Sequence, residues 1–446
     1  MEQNSSHLLS DYHNFALDIL ARAKLLGTTD AEVRIGLDNG FSISVREQNP
    51  ETIEHHHSKN LEITVYFGYK VGKATTSDFF PEAVSSTLHK ASYIANLVEE
   101  DLYVGLAAKE LMALGYPDLD LHYPWQITIA EAIAMAKKNE SRGLDYHGKI
   151  VQAEEISVTS FDGTNVYANS HDFLGVVKYT RHSVGCTFIV EEDGQKERDG
   201  YYSIARSPMD LEDGDRLATT AAERVVRRLG ARKITTRKAP VLFFREPATS
   251  LVRNFLSAIS GSNLYRDSSF LVDSLGRKVF ASTIEIIEDP HIPRALGSVP
   301  FDSEGVKLCR NNIVTDGLLQ RYLLDSYSAR KLSLSTTGNG GGIHNIIVQT
   351  PRKLTFPMLL KKMGRGLLVT EFLGGEVNII TGNYSRGVFG YWVEHGAIQY
   401  PVTGVTIAGN LKDIFLDVME IGDDVEYSSN ILTGSILVGE MTIAGS

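Results

Sequence analysis

The chain has 446 residues, 43% of them apolar and 22% charged, with a formal charge of −11 from 44 basic and 55 acidic side chains. These values exclude a disordered chain and lack the basic footprint of a nucleic-acid binder, and the length suggests two to four domains at ~100–200 residues each. Two cysteines, Cys186 and Cys309, exclude a disulfide framework and any Cys-rich zinc or iron–sulfur centre built by this chain alone. The opening MEQNSSHLLSDYHNF has no basic region followed by an apolar run, and no apolar stretch reaches the ~18 residues needed to cross a bilayer. The expected location is the cytoplasm, with no membrane contact.

A first helix is expected from Ser10 or Asp11, with Phe15, Ile19, Leu20, Ala23 and Leu26 at helical spacing and Gly27 as its stop. The period then changes to two. Residues 31–37 and 41–47 flank Asp38-Asn39-Gly40 and read as a hairpin, and 61–69 and 73–77 read as further strands. A helix after Phe80 carries Val84, Leu88, Ala91, Ile94, Ala95 and Val98 on one face. Residues 101–127 break regular structure at Gly115-Tyr116-Pro117-Asp118 and Tyr123-Pro124. A helix is expected over 128–141. Strands 154–161 and 165–170 then flank Asp162-Gly163, and 175–192 ends at Asp193-Gly194. A further helix over about 210–229 stops at Gly230.

The cationic stretch Arg224 to Lys238 reads as a helix C-terminus running into a solvated linker, with an acidic partner as the alternative. Beyond it, Asp316-Gly317 and His395-Gly396 join further strand pairs. Turn dipeptides between strands, without a helix after each strand, indicate an antiparallel α+β protein. The expected units are an α+β domain over 1–115, a second over 120–236, and a β-rich domain over 237–446. Its helix 245–260 turns Val252, Phe255, Leu256 and Ile259 inward.

Chemistry is sparse at the level of motifs. None of the 13 histidines is followed by Glu, so the usual zinc-peptidase helix is absent. His55-His56-His57 lies beside a strand, where adjacent side chains face opposite ways; it reads as a solvated loop, with a metal site as the alternative. No G-x-S-x-G elbow, P-loop or G-x-G-x-x-G occurs. Cys186 and Cys309 sit in strand patterns as small hydrophobes. The Gly-rich TTGNGGGIHN (336–345) implies positive φ or close approach and is a candidate binding loop. Asp302 and Glu304 read equally as a carboxylate pair that shares a proton or holds a cation, or as an Asx-type turn closed by Gly305. The loop from Gly382 to Gly387 offers Tyr384 and Arg386, residue types favoured at recognition surfaces.

FDSEGV (301–306), LLDSYSARKL (323–332), GNGGGIHN (338–345), RDSSFLVDSLG (266–276) and the long TGNYSRGVFGYWVEHGAIQYPVTGVTIAGNLKD (381–413) closely resemble the TldD/PmbA family of bacterial metalloproteases, on its PmbA/TldE side. LEITVYFGY (61–69), TRHS (180–183) and PDLDL (117–121) extend the similarity over nearly the whole chain. The resemblance implies a cytoplasmic heterodimer of a TldD-type and a TldE-type subunit that trims unfolded or extended peptides. Zinc is expected in the TldD-type partner, held by H-E-x-x-x-H and a Cys near its C-terminus. The matching segment here follows APVLFF (239–244). It has Arg245 and Ser250 where the two His would stand and keeps only Glu246, and no Cys lies between Asp423 and Ser446.

The resemblance therefore implies a subunit without a cofactor or catalytic residue of its own, which shapes a cavity. Asp302, Glu304, His344, Asn345, Tyr384 and Arg386 are the candidate cavity residues. Two alternatives stay open: an autonomous hydrolase using Asp302, Glu304 and His344, and a non-catalytic homodimer acting as a binding or scaffold protein.

Overall fold

The computed structural model describes residues 2–445, with side chains from residue 11 onward. One antiparallel sheet underlies the N-terminal half. Its strands are β1 (Asp30–Arg46), β2 (Asn49–Phe67), β3 (Lys70–Thr76), β4 (Ile150–Asn169), β5 (Leu174–Glu192) and β6 (Gln195–Ala205), in the order β3-β2-β1-β4-β5-β6. β1 pairs with β4 from Glu32–Asn169 to Val45–Ile156, so one sheet carries chain from both sides of residues 101–127.

Alternation sorts that sheet into two faces. Val33, Ile35, Ile43 and Val45 of β1 and Ile156, Val158, Val166 and Ala168 of β4 are all buried on one of them. Helices α1 (Glu2–Leu25) and α2 (Pro81–Leu97) cover half of this face. The other half is covered by α3 (Ile129–Leu144) and α4 (Gly214–Val226). α3 starts as its sequence dictates: the Thr128 hydroxyl and the Glu131 carboxylate cap each other's backbone N–H groups. Burial on α2 is narrower than expected, because Ile94 is more than a third exposed and Val98 lies just past the helix end. The opposite face of the sheet turns toward the C-terminal half, where Tyr167 and Phe173 pack with Phe301.

Two expected hairpins do not form. Asp38-Asn39-Gly40 lies inside β1 and Asp162-Gly163 inside β4, and the two stretches face each other in register. Close approach explains both glycines. A Cβ would stand 2.3 Å from the Ser160 carbonyl oxygen at Gly40, and 2.5 Å from the Tyr179 ring at Gly163. The chain reverses instead at Glu47-Gln48, both at positive φ. The buried Glu140 carboxylate of α3 accepts the backbone N–H of each at 2.7 Å. By contrast, Asp193-Gly194, Asp316-Gly317 and His395-Gly396 do turn, every residue of them at positive φ. His55, His56 and His57 are not in a loop but extended within β2, their rings exposed. His57 Nδ1 meets Asn39 Oδ1 at 2.5 Å and His56 Nε2 meets Ser42 Oγ at 3.3 Å. Both cysteines are free; Cys186 is buried, and burial pushes its thiol up to about 12.

The C-terminal half adds β7 (Arg237–Phe243), β8 (Glu285–Asp289), β9 (Asn311–Thr315), β10 (Leu318–Leu319), β11 (Asn345–Gln349), β12 (Gly366–Val377), β13 (Asn383–Glu394), β14 (Ala397–Asn410), β15 (Val418–Ile421), β16 (Ile431–Leu432) and β17 (Ile436–Ala444). One sheet runs β10-β9-β8-β11-β16; the other runs β14-β13-β12-β7-β17-β15, and an extra β14–β17 pairing closes its first five strands into a ring. Only β7–β12 and β11–β16 pair in parallel among the described strands. Helix α5 (Arg245–Ala258) buries Leu251, Val252, Phe255 and Leu256, followed by Ile259, in the core these sheets share.

The cationic stretch before β7 is not simply solvated. Arg228 is 4% exposed, lies 3.7 Å above the Phe389 ring, and pairs with Glu197 and Asp199 of β6 and Glu371 of β12. It ties the N-terminal sheet to the C-terminal half. No helix among the described residues is long and apolar enough to cross a membrane.

Candidate functional site

Between the helix-free face of the N-terminal sheet and the C-terminal half lies a cavity of about 870 Å³. β1 and β4 contribute Arg34, Asn165 and Tyr167, and β5 contributes Tyr179 and Arg181. These residues point into the cavity because they alternate with those that face the helices. Arg206 follows β6, and Arg253 comes from α5. The floor is the Gly340–His344 loop, together with Asp302 and Ser303.

Asp302 is buried, and both its oxygens are taken by backbone. Oδ1 accepts the N–H of Glu304 (2.9 Å) and Val306 (2.8 Å), and Oδ2 accepts that of Gly340 (3.0 Å). With Gly305 at φ +76°, this is the Asx-type turn, one of the two readings the sequence left open. Glu304 accepts the backbone N–H (2.9 Å) and hydroxyl (2.7 Å) of Ser326 through one oxygen. The two carboxyls flank Gly340, where a Cβ would stand 2.8 Å from Asp302 Oδ2 and 2.8 Å from Glu304 Cγ. Only glycine fits there. Burial raises both acids against these hydrogen bonds: Asp302 to about 6, and Glu304, further raised by Asp302, to about 7.

His344 lines the same cavity and is anchored by Glu288 of β8, which accepts from its backbone N–H at 2.9 Å and meets its Nδ1 at 3.0 Å. Glu288 also accepts from Asn339 Nδ2 at 2.9 Å. The structure thus joins Asp302, Glu304 and His344 through the Gly-rich loop. Glu288 was missed in the sequence, where it is one acid within the strand EIIED. Asn345 does not reach the cavity. It is fully buried and holds the Gly297–Ser298 loop through Gly297 N–H (2.9 Å) and Ser298 Oγ (2.7 Å).

Tyr384 and Arg386 lie elsewhere. Both sit on β13, whose alternation buries Tyr384 in the C-terminal core with no partner for its hydroxyl, and burial raises that phenol. Arg386 stacks 4.4 Å above the Phe372 ring and donates to the Gly374 carbonyl at 3.1 Å. Neither lines the cavity, because Gly-flanking suggested a loop where the chain continues as strand.

At the start of α5, Arg245 Nε lies 2.9 Å from Glu426 Oε2, out of line for a hydrogen bond. Glu246 is ion-paired with Arg224 of α4, whose guanidinium lies 4.7 Å from the Tyr201 ring centroid. Ser250 is partly buried on the next turn. Among the described residues, no group of three or more His, Cys, Asp or Glu side chains is arranged to hold a metal ion.

Comparison with known proteins accounts for this architecture. Family profiles described as the PmbA/TldA metallopeptidase central domain and C-terminal domain match residues 122–229 and 236–445. The chain is 44% identical over 415 residues to a protein named metalloprotease PmbA from Escherichia coli O157:H7, covering 93% of this chain and 92% of that one. It is 41% identical over 433 residues to a metalloprotease PmbA homolog of Haemophilus influenzae, covering 97% and 95%. The crystal structure of TldE from Thermococcus kodakarensis has the same fold, with a TM-score of 0.85 over 97% of this chain and 100% of that one at 18% identity. From these matches, the chain belongs to the PmbA/TldD family.

Proposed function

We propose that this chain is the TldE-type subunit of a cytoplasmic, heterodimeric TldD/TldE metalloprotease that degrades or trims unfolded peptides, and that its partner supplies the zinc. The observation that carries this reading is the state of the α5 start. A guanidinium offers no lone pair to a metal. At the positions that resemble H-E-x-x-x-H, this chain has the Arg245 guanidinium paired with Glu426, the Glu246 carboxylate paired with Arg224, and one hydroxyl. Such a set does not fit zinc, whose sites take Cys, His and carboxylate donors. The relatives named metalloproteases support the proteolytic setting. In the proposed division of labour this subunit builds the cavity and stabilises the complex, and the partner cleaves.

The reading as an autonomous hydrolase is disfavoured, because Asp302 holds the backbone of its own turn and His344 is fastened to Glu288. Elemental analysis of the purified chain tests the assignment of the metal. The expected result is far less than one zinc per chain after dialysis; equimolar, chelator-resistant zinc would contradict it.

A further inference from the structure

The cavity holds more cationic charge than it neutralises. Arg34 is matched within it, 3.1 Å from Glu32 and 3.6 Å from Glu62. Arg181, Arg206 and Arg253 also line it, and none has a carboxylate within ion-pairing distance among the described residues. Arg206 is the most telling of the three. It is 8% exposed, donates to the carbonyls of Thr180 (3.1 Å) and Leu296 (2.8 Å), and leaves a buried Nε without any partner. The acids nearby cannot serve it: Glu62 pairs with Arg34 and Lys73, and Asp302 is occupied by backbone N–H groups. A buried, unneutralised guanidinium is costly, and arginine's planar fork matches a carboxylate.

We propose that Arg181, Arg206 and Arg253 form a subsite for a carboxylate of a bound peptide, in the first instance its C-terminal carboxylate. This deepens the peptide-processing reading and rests on it. Burial, and secondarily the neighbouring Arg181, lower Arg206 to about 10, the direction expected of a cation awaiting an anion. Apolar lining from Val177 and Phe301 leaves room for side chains beside the charged end. Arg253 comes from α5, two turns beyond Arg245 and Glu246, so the helix that carries a metal motif in the catalytic relatives would here carry a substrate contact.

Calorimetric titration of the full chain with N-acetylated, unstructured octapeptides tests this. The peptides end in a free carboxylate, in an amide, or in an amide with one internal Asp. The free acid is expected to bind at least about ten-fold tighter than the plain amide, the gain of one well-placed charge-assisted contact. Arg181→Gln and Arg253→Gln, both at exposed positions, should each remove most of the difference between acid and amide. If the Asp-containing amide binds as tightly as the free acid, the carboxylate subsite stands and accepts a side-chain carboxylate as well as a terminal one. Equal binding of acid and plain amide would overturn the subsite while leaving the peptide reading intact. Binding of none of the three would overturn both.

Discussion

At single residues, the cavity floor depends on two acids held where their charge is disfavoured. Asp302 and Glu304 are each raised above their usual range by burial. A carboxyl whose folded pKa exceeds its unfolded one contributes stability that is complete below the unfolded pKa and is lost as pH rises through the folded one. The fold should therefore lose stability from these two groups between about pH 4 and pH 7. Glu304→Gln removes one of the titrations. Relative to the parent, its stability should improve by roughly 1–2 kcal/mol between pH 5 and pH 8, read from urea unfolding at both values. A parallel shift at both pH values would show that Glu304 is not raised. The sequence showed these acids and their spacing, and the choice between turn and proton-sharing pair needed the partner Gly340, which only the fold brings near. Tyr384 and Arg386 lie outside this chain's own cavity for a related reason: Gly382 and Gly387 looked like loop boundaries, and Gly387 is a strand residue opposite Gly374.

Among elements, the turn dipeptides were informative only where the chain was free to reverse. Asp193-Gly194, Asp316-Gly317 and His395-Gly396 turn, and α3 and α5 lie where capping and apolar spacing put them. Gly40 and Gly163 carry the same local signal but answer a different demand, the close approach of backbone or ring inside a wide sheet. The true reversal at Glu47-Gln48 has no turn-forming sequence; Glu140, more than 90 residues on, supplies its hydrogen bonds. Glu140→Ala should therefore cost roughly 2–3 kcal/mol, the expected loss for hydrogen bonds to a buried charged group. Hydrogen exchange should show the loss concentrated at the β1–β2 hairpin. Unchanged protection of Glu47 and Gln48 would mean that the turn holds without α3.

Over the whole molecule, the cavity exists because one face of the N-terminal sheet is left free of helices and is closed by the C-terminal half. Its lining comes from Arg34, Arg181, Arg206, Arg253 and the 340–344 loop, which are widely separated in the chain. No local pattern marks such residues as neighbours, so the arginines of the cavity were not legible in the sequence. The degenerate start of α5 was legible, because it is contiguous. What the sequence could not show was that Arg245 and Glu246 are committed to Glu426 and Arg224, which links the start of α5 to Glu426 and to α4.

The division of labour between subunits can be measured as hydrolysis of an unstructured peptide by this chain alone, by a TldD-type partner alone, and by the two mixed in equal amounts. The expected result is no turnover by this chain, and a rate for the mixture well above the sum of the separate rates. Hydrolysis by this chain alone at the rate of the mixture, or a mixture no faster than the partner alone, would contradict it.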